Sequence, residues 1–129
     1  VYVDAATKGN PGPSGGGIVV SGEGIHEQLH YSLGVCSNHE AEFRILIHAL
    51  QWLIDHQHTH TSINLLSDSK IVVQTIDKNY ASSPEFQPYL ERFQQLAPHF
   101  QLLLLQWIPE SKNKGADTLA RQALQKALN

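Results

Sequence analysis

Polar and apolar residues alternate from Val1 to Ala6, the two-residue period of a β-strand. Gly9-Asn10-Pro11-Gly12-Pro13 is turn chemistry, and Gly15-Gly16-Gly17-Ile18-Val19-Val20 returns to extended structure. After Ser21-Gly22-Glu23-Gly24, a more polar alternation runs over residues 25–34. Three strands joined by short turns predict an antiparallel meander. The period then changes. Ser37 or Asn38 is placed to cap a helix running to about His56, on which Glu42, Ile45, Leu46, Ala49, Leu50 and Leu53 recur at helical spacing. Glu40, Arg44, His48, Gln51 and Asp55 make its polar face, so Glu40 is expected in solvent and Glu42 towards the core.

The second half reads by the same rules. A polar loop covers His56 to Thr61, residues 63–66 form a short apolar strand, and Ser69 to about Lys78 a helix. Pro84 and Pro88 bracket the entry to another helix, with Phe86, Tyr89, Leu90, Phe93 and Leu96 on one side. Leu102 to Leu105 is continuously apolar, the pattern of a strand buried on both faces. Pro109 to Lys114 is a loop, and the last helix turns Ala116, Leu119, Ala120, Ala123, Leu124 and Ala127 inward. The order β-β-β-α-β-α-α-β-α lets strands one, four and five run parallel through helical crossovers, with the hairpins antiparallel on one side. The expected fold class is a three-layer α/β domain around a mixed five-stranded sheet of order 3-2-1-4-5.

Composition narrows the class. The 129 residues, 41% hydrophobic and 16% charged, suit one globular domain spanning residues 1–129 that needs no disulfide. The single Cys36 fits a reducing, cytoplasmic setting. No stretch approaches the ~20 apolar residues that cross a bilayer, so no membrane partner is expected, and the expected state is a monomer. The chain opens on Val and has no Met, which leaves room for a longer parent polypeptide. A formal charge of −3 weighs mildly against tight, nonspecific nucleic-acid binding, though bound metal would offset four of the twelve acids.

Four of those acids stand where a carboxylate is costly. Asp4 lies inside the first strand, Glu42 on the apolar stripe of its helix, Asp68 at the end of Ile63-Asn64-Leu65-Leu66-Ser67, and Asp117 at the edge of the last helix's stripe. A buried carboxylate loses hydration worth several kcal/mol and needs a partner or a cation. Helix capping explains Asp68 or Asp117 taken alone. Together, with Asp4 and Asp68 at the C-terminal ends of adjacent parallel strands, the four point to a divalent-metal site.

These segments resemble the type 1 ribonuclease H family. The resemblance rests on Val3-Asp4-Ala5-Ala6 with Gly9-Asn10-Pro11-Gly12-Pro13, on Ser37-Asn38-His39-Glu40-Ala41-Glu42, and on Leu66-Ser67-Asp68-Ser69. It continues with Trp107-Ile108-Pro109 and Asn113-Lys114-Gly115-Ala116-Asp117-Thr118-Leu119-Ala120, in order, across essentially the whole chain. It implies hydrolysis of the RNA strand of an RNA/DNA hybrid with two Mg²⁺ or Mn²⁺ ions, leaving 3′-OH and 5′-phosphate ends. Two ions about 4 Å apart suit an in-line displacement at phosphorus. The resemblance assigns metal binding and catalysis to Asp4, Glu42, Asp68 and Asp117. Asp4 would bridge both ions, Asp68 would complete the nucleophile side, and Glu42 and Asp117 the leaving-group side. It assigns minor-groove contacts, where the 2′-OH marks RNA, to Gly9, Asn10 and Asn38, and a DNA-strand phosphate to Ser37 and Asn38.

Two departures from the family pattern stand out. The loop Glu110-Ser111-Lys112-Asn113-Lys114-Gly115 has no histidine before the last acid, and Lys112 and Lys114 read as solvated surface lysines. The segment from Asn79 to Pro88 has Tyr80 but no basic, Trp-rich insertion. Gly12-Pro13-Ser14-Gly15-Gly16 matches a serine-hydrolase elbow in letters only, because a strand rather than a helix follows it. His39-Glu40 has Phe43 where a zinc helix needs a second histidine. His56, His58 and His60 are expected exposed in their loop. A non-catalytic hybrid-binding module, a nuclease domain of a larger replication or retroelement polypeptide, and a DNA-acting relative remain as alternatives.

Overall fold

The computed structural model describes residues 1–129, and the meander forms as the alternation predicts. Strands β1 (Tyr2–Thr7), β2 (Gly12–Gly22) and β3 (Ile25–Cys36) pair antiparallel. Strands β4 (Ser62–Ser67) and β5 (Leu102–Trp107) extend the sheet in parallel, giving the order β3-β2-β1-β4-β5. Helices α1 (Asn38–Asp55), α2 (Lys70–Lys78), α3 (Gln87–Leu96) and α4 (Lys114–Leu128) follow in the expected places. β2 starts at Gly12, inside the segment read as a turn, because Lys8 N–H reaches Pro13 O at 3.0 Å and Ser14 already pairs with Thr7.

Ser37, not Asn38, caps α1. Its Oγ accepts from Glu40 N–H at 3.1 Å, while Glu40 Oε1 accepts from Ser37 N–H at 3.3 Å. This reciprocal box leaves Glu42 and the apolar stripe facing the sheet. Phe43, Ile45, Leu46, Leu50 and Leu53 are fully buried there, against Val3, Ile18, Leu65 and Val72. Each such Leu or Phe contributes about 1.5–3 kcal/mol by leaving water.

The three consecutive glycines of β2 let two helices approach the sheet closely from opposite faces. A Cβ on Gly16 would meet the Ile45 side chain of α1 at 2.4 Å, whereas one on Gly17 would meet Ala116 O of α4 at 2.3 Å. Neighbouring residues of a strand face opposite ways, so α1 and α4 lie on opposite sides. Gly15 likewise sits under the α4 backbone. α4 thereby lies over the meander, and its first turn comes to the edge where β1 and β4 end.

Three expectations fail, the smallest being Ala127, which is exposed on the last turn of α4. β5 is not buried on both faces: Leu102 and Leu104 are each 47% exposed, while Leu103 and Leu105 are half-buried against the core. β5 is an edge strand, and α4 packs over β1 to β3 at the other end of the sheet. Glu40 is not simply solvated. Tyr89 O–H donates to Glu40 Oε2 at 2.9 Å, and Arg44 Nε donates to Tyr89 Oη at 2.9 Å, so the acid joins α1 to α3. No helix is long and apolar enough to cross a membrane.

Candidate active site

The parallel ladder between β1 and β4 stops at Val3–Ser67. Beyond it the two strands separate, and the backbone N–H of Ala5 donates to Glu42 Oε1 at 3.2 Å. Asp4 on β1, Glu42 on α1 and Asp68 just after β4 converge in this split, with one carboxylate oxygen of each within 4.8 Å of the others. Asp4 is 5% exposed, and Glu42 and Asp68 are half-buried. Asp68 does not cap α2, because Ser69 does, with its Oγ accepting from Val72 N–H. The helical phase that turned Glu42 inward therefore holds.

Asp117 lines the same cleft, of about 490 Å³, together with Asp4, Glu42, Asp68, Glu110 and Arg121. It is not one of the three converging carboxylates. Arg121, one helical turn further on, donates from Nε to both Asp117 oxygens at 3.1 Å and holds it at the rim. Glu110 is a fifth acid at the cleft that the sequence reading missed; a lone acid in a loop after Pro109 carries no signal of its own. Asn113 was read as loop and as the start of a segment resembling the family, without a role of its own. It is 1% exposed, and its Nδ2 donates to Val3 O at 2.8 Å and to Asp68 Oδ2 at 3.2 Å. Lys112 and Lys114 are exposed and do not line the cleft, as expected of surface lysines.

The electrostatics are those of a site short of positive charge. Burial first, then the Asp68 charge, raises Asp4 from 3.8 to about 7. Burial and then Asp4 hold Glu42 well above the ordinary carboxylate range. Asp68 is raised too, mainly by burial, with the Asn113 hydrogen bond offsetting part and the Glu110 and Asp117 charges adding to it. Glu42 Oε2 is buried with no hydrogen-bond partner. An all-oxygen, anionic donor set with an orphaned carboxylate oxygen fits a hard divalent cation such as Mg²⁺ or Mn²⁺.

The residues expected to touch nucleic acid lie on the β1–β2 turn and at the start of α1. Gly9 has φ +81°, in the left-handed region that favours glycine. Asn10 Oδ1 accepts from Asn38 N–H at 3.1 Å, tying the β1–β2 turn to the start of α1. Asn38 is thus not the cap, and Asn10 and Asn38 are both exposed. The histidine loop lies elsewhere. His56 and His60 are exposed as expected, but His58 is half-buried, with its ring 5.6 Å from that of Trp52.

Comparison with known proteins agrees with this geometry. The Reverse transcriptase-like family matches residues 2–123. The chain is 60% identical to EbsB of Enterococcus faecalis, over 98% of this chain and 93% of that protein. It is 30% identical to the bifunctional protein Rv2228c of Mycobacterium tuberculosis, over 98% of this chain and 35% of that longer protein. The crystal structure of RNase H1 from Halobacterium salinarum superposes with TM-score 0.88 at 32% identity, covering 98% of this chain and 96% of that one. LC11-RNase H1, solved in complex with an RNA/DNA hybrid, gives 0.89 at 27% identity, covering 99% and 97%. The sheet order, the helix that turns Glu42 inward and these matches agree: the chain belongs to the Reverse transcriptase-like family, among its type 1 ribonuclease H members.

Proposed function

We propose that this chain is a divalent-metal-dependent endonuclease that hydrolyses the RNA strand of RNA/DNA hybrids, leaving 3′-OH and 5′-phosphate ends. The observation that carries the reading is the convergence of Asp4, Glu42 and Asp68 within 4.8 Å in an open cleft. The hybrid-bound state of the similar LC11-RNase H1 supports the substrate class. Asp4, Glu42 and Asp68 would hold Mg²⁺ or Mn²⁺ with Asp117 at the rim, and the metal would supply Lewis-acid stabilisation of a phosphodiester and activation of water.

The chain's own residues prepare that chemistry. One buried acid and two half-buried ones are crowded together, so the site favours a doubly charged cation over protons as pH rises. Ala5 N–H fixes the Glu42 carboxylate from one side and leaves Oε2 free. Asn10 and Asn38 supply exposed amides at the sugar edge of a docked minor groove, and Gly9 keeps the approach open. Ser37 caps α1 beside them, and the Ser37 and Asn38 side chains would meet a phosphate of the DNA strand.

The test is cleavage of a labelled RNA/DNA hybrid with Mg²⁺ or Mn²⁺, with an all-DNA duplex and Asp4→Asn as controls. Cutting restricted to the RNA strand and lost in the variant is expected. A folded protein that binds hybrid without cutting it under either ion would replace this reading with that of a binding module.

A further inference from the structure

Asn113 begins α4, yet it does not do what an asparagine at a helix start ordinarily does. A capping side chain accepts from the N–H groups of the first turn. Asn113 makes no side-chain cap bond and has φ −120° and ψ 29°. Its amide points away from its own helix and donates across the fold, to Val3 O and Asp68 Oδ2. Its backbone carbonyl accepts from Asp117 N–H at 3.1 Å. Val3 directly precedes Asp4. One buried residue therefore bonds to β1 just ahead of Asp4, to the Asp68 carboxylate, and to the backbone of Asp117.

From this geometry we propose that Asn113 is a positioning residue for the metal site, holding the Asp68 carboxylate in register with Asp4 and the first turn of α4. The inference rests on the metal-site reading above. The amide nitrogen is a pure donor and cannot ligate a cation. It occupies one lone pair of Asp68 Oδ2, fixes the carboxylate plane and leaves the remaining lone pairs for the cleft. Asn113 Oδ1 stays buried without a partner, so the residue is poorly satisfied by its own surroundings. Groups that hydrogen-bond to metal ligands typically change metal affinity or activity by about 10–100-fold when removed.

The experiment compares Asn113→Ala and Asn113→Leu with the unsubstituted protein. Leucine nearly matches asparagine in shape but has no donor, so it keeps the volume filled and carries the test if the alanine variant does not fold. Melting in chelator checks folding, and calorimetric titration with Mn²⁺ alone reads the site without catalysis. We expect Mn²⁺ affinity to fall about tenfold in both variants, with kcat reduced and KM for hybrid within about twofold. Asn113→Leu introduced into an Asp68→Asn background should then change Mn²⁺ affinity little further, because the two act through one carboxylate. Unchanged Mn²⁺ affinity in folded Asn113→Leu, with the unsubstituted protein still cutting hybrid, overturns the positioning role and leaves the nuclease reading intact. An unsubstituted protein that neither binds Mn²⁺ nor cuts hybrid overturns both.

Discussion

Asp4→Asn should make the metal-free protein more stable while abolishing cleavage. In the folded chain Asp4 holds its proton up to about pH 7, against an ordinary value of 3.8. The native state therefore binds a proton that the unfolded chain has already released, so stability falls as pH rises through that interval and stays low above it. At about 1.36 kcal/mol for each pKa unit, the gap sets a ceiling of about 4 kcal/mol. Burial is the first cause of the shift and the Asp68 charge the second, and asparagine at the same buried place still loses hydration, so about half the ceiling, ~2 kcal/mol, is the gain to expect from one substitution. For a chain of this length that corresponds to a rise in melting temperature of about 5–10 °C. The assay is thermal denaturation of both proteins in chelator at pH 5 and pH 8. The variant's advantage should be large at pH 8 and about a third as large at pH 5, where only part of the interval above 3.8 has been crossed. Added Mn²⁺ should reverse the order at pH 8, because only the unsubstituted protein keeps its full set of ligands. A variant less stable by the same amount at both pH values would refute the claim that crowded carboxylates strain the metal-free site.

Gly17→Ala should destabilise the protein by about 3 kcal/mol or more in urea unfolding, since its Cβ would meet the backbone oxygen of Ala116 at 2.3 Å. Glu40→Gln should cost about 1 kcal/mol through the weakened capping box and the Tyr89 bond, yet leave hybrid cleavage within about twofold. A cleavage loss as large as that of Glu42→Gln would show that the two faces of α1 are misassigned. Arg121→Ala should tighten Mn²⁺ binding in calorimetry, because Asp117 no longer has to exchange an ion pair for the cation. Weaker binding would mean that the pair orients Asp117 for the metal.

The element order could be read from periodicity, because the side-chain period reports which kind of element a segment forms, whereas the sheet order needed the rules of chain connection and the family resemblance. Glu42 was legible for the same reason: helical phase alone puts it on the face of Leu46 and Leu50. Asp4 and Asp68 were legible as carboxylates at strand positions where burial needs an explanation. Gly15-Gly16-Gly17 could be read as extended, but not as the contact that lets α1 and α4 close on the sheet. The run Leu102 to Leu105 looks the same in a central strand as in an edge strand with one bare face, and the packing of α4 over the other end of the sheet made it the second. Glu40 had the polar phase of a surface acid, and only α3 arriving with Tyr89 drew it into a network. The role of Asn113 gave no signal, since its partners Val3 and Asp68 are distant in sequence, and Glu110 read as an ordinary loop acid. Asp117 could be placed near the site, but its hold by Arg121 could not be foreseen, because side-chain pairing depends on rotamer and neighbours. The sequence by itself determined which face of its own element each residue occupies, a local property of chain geometry. Only the tertiary structure decided what covers that face and how close the four acids come, because those distances are set by packing between elements far apart in the chain.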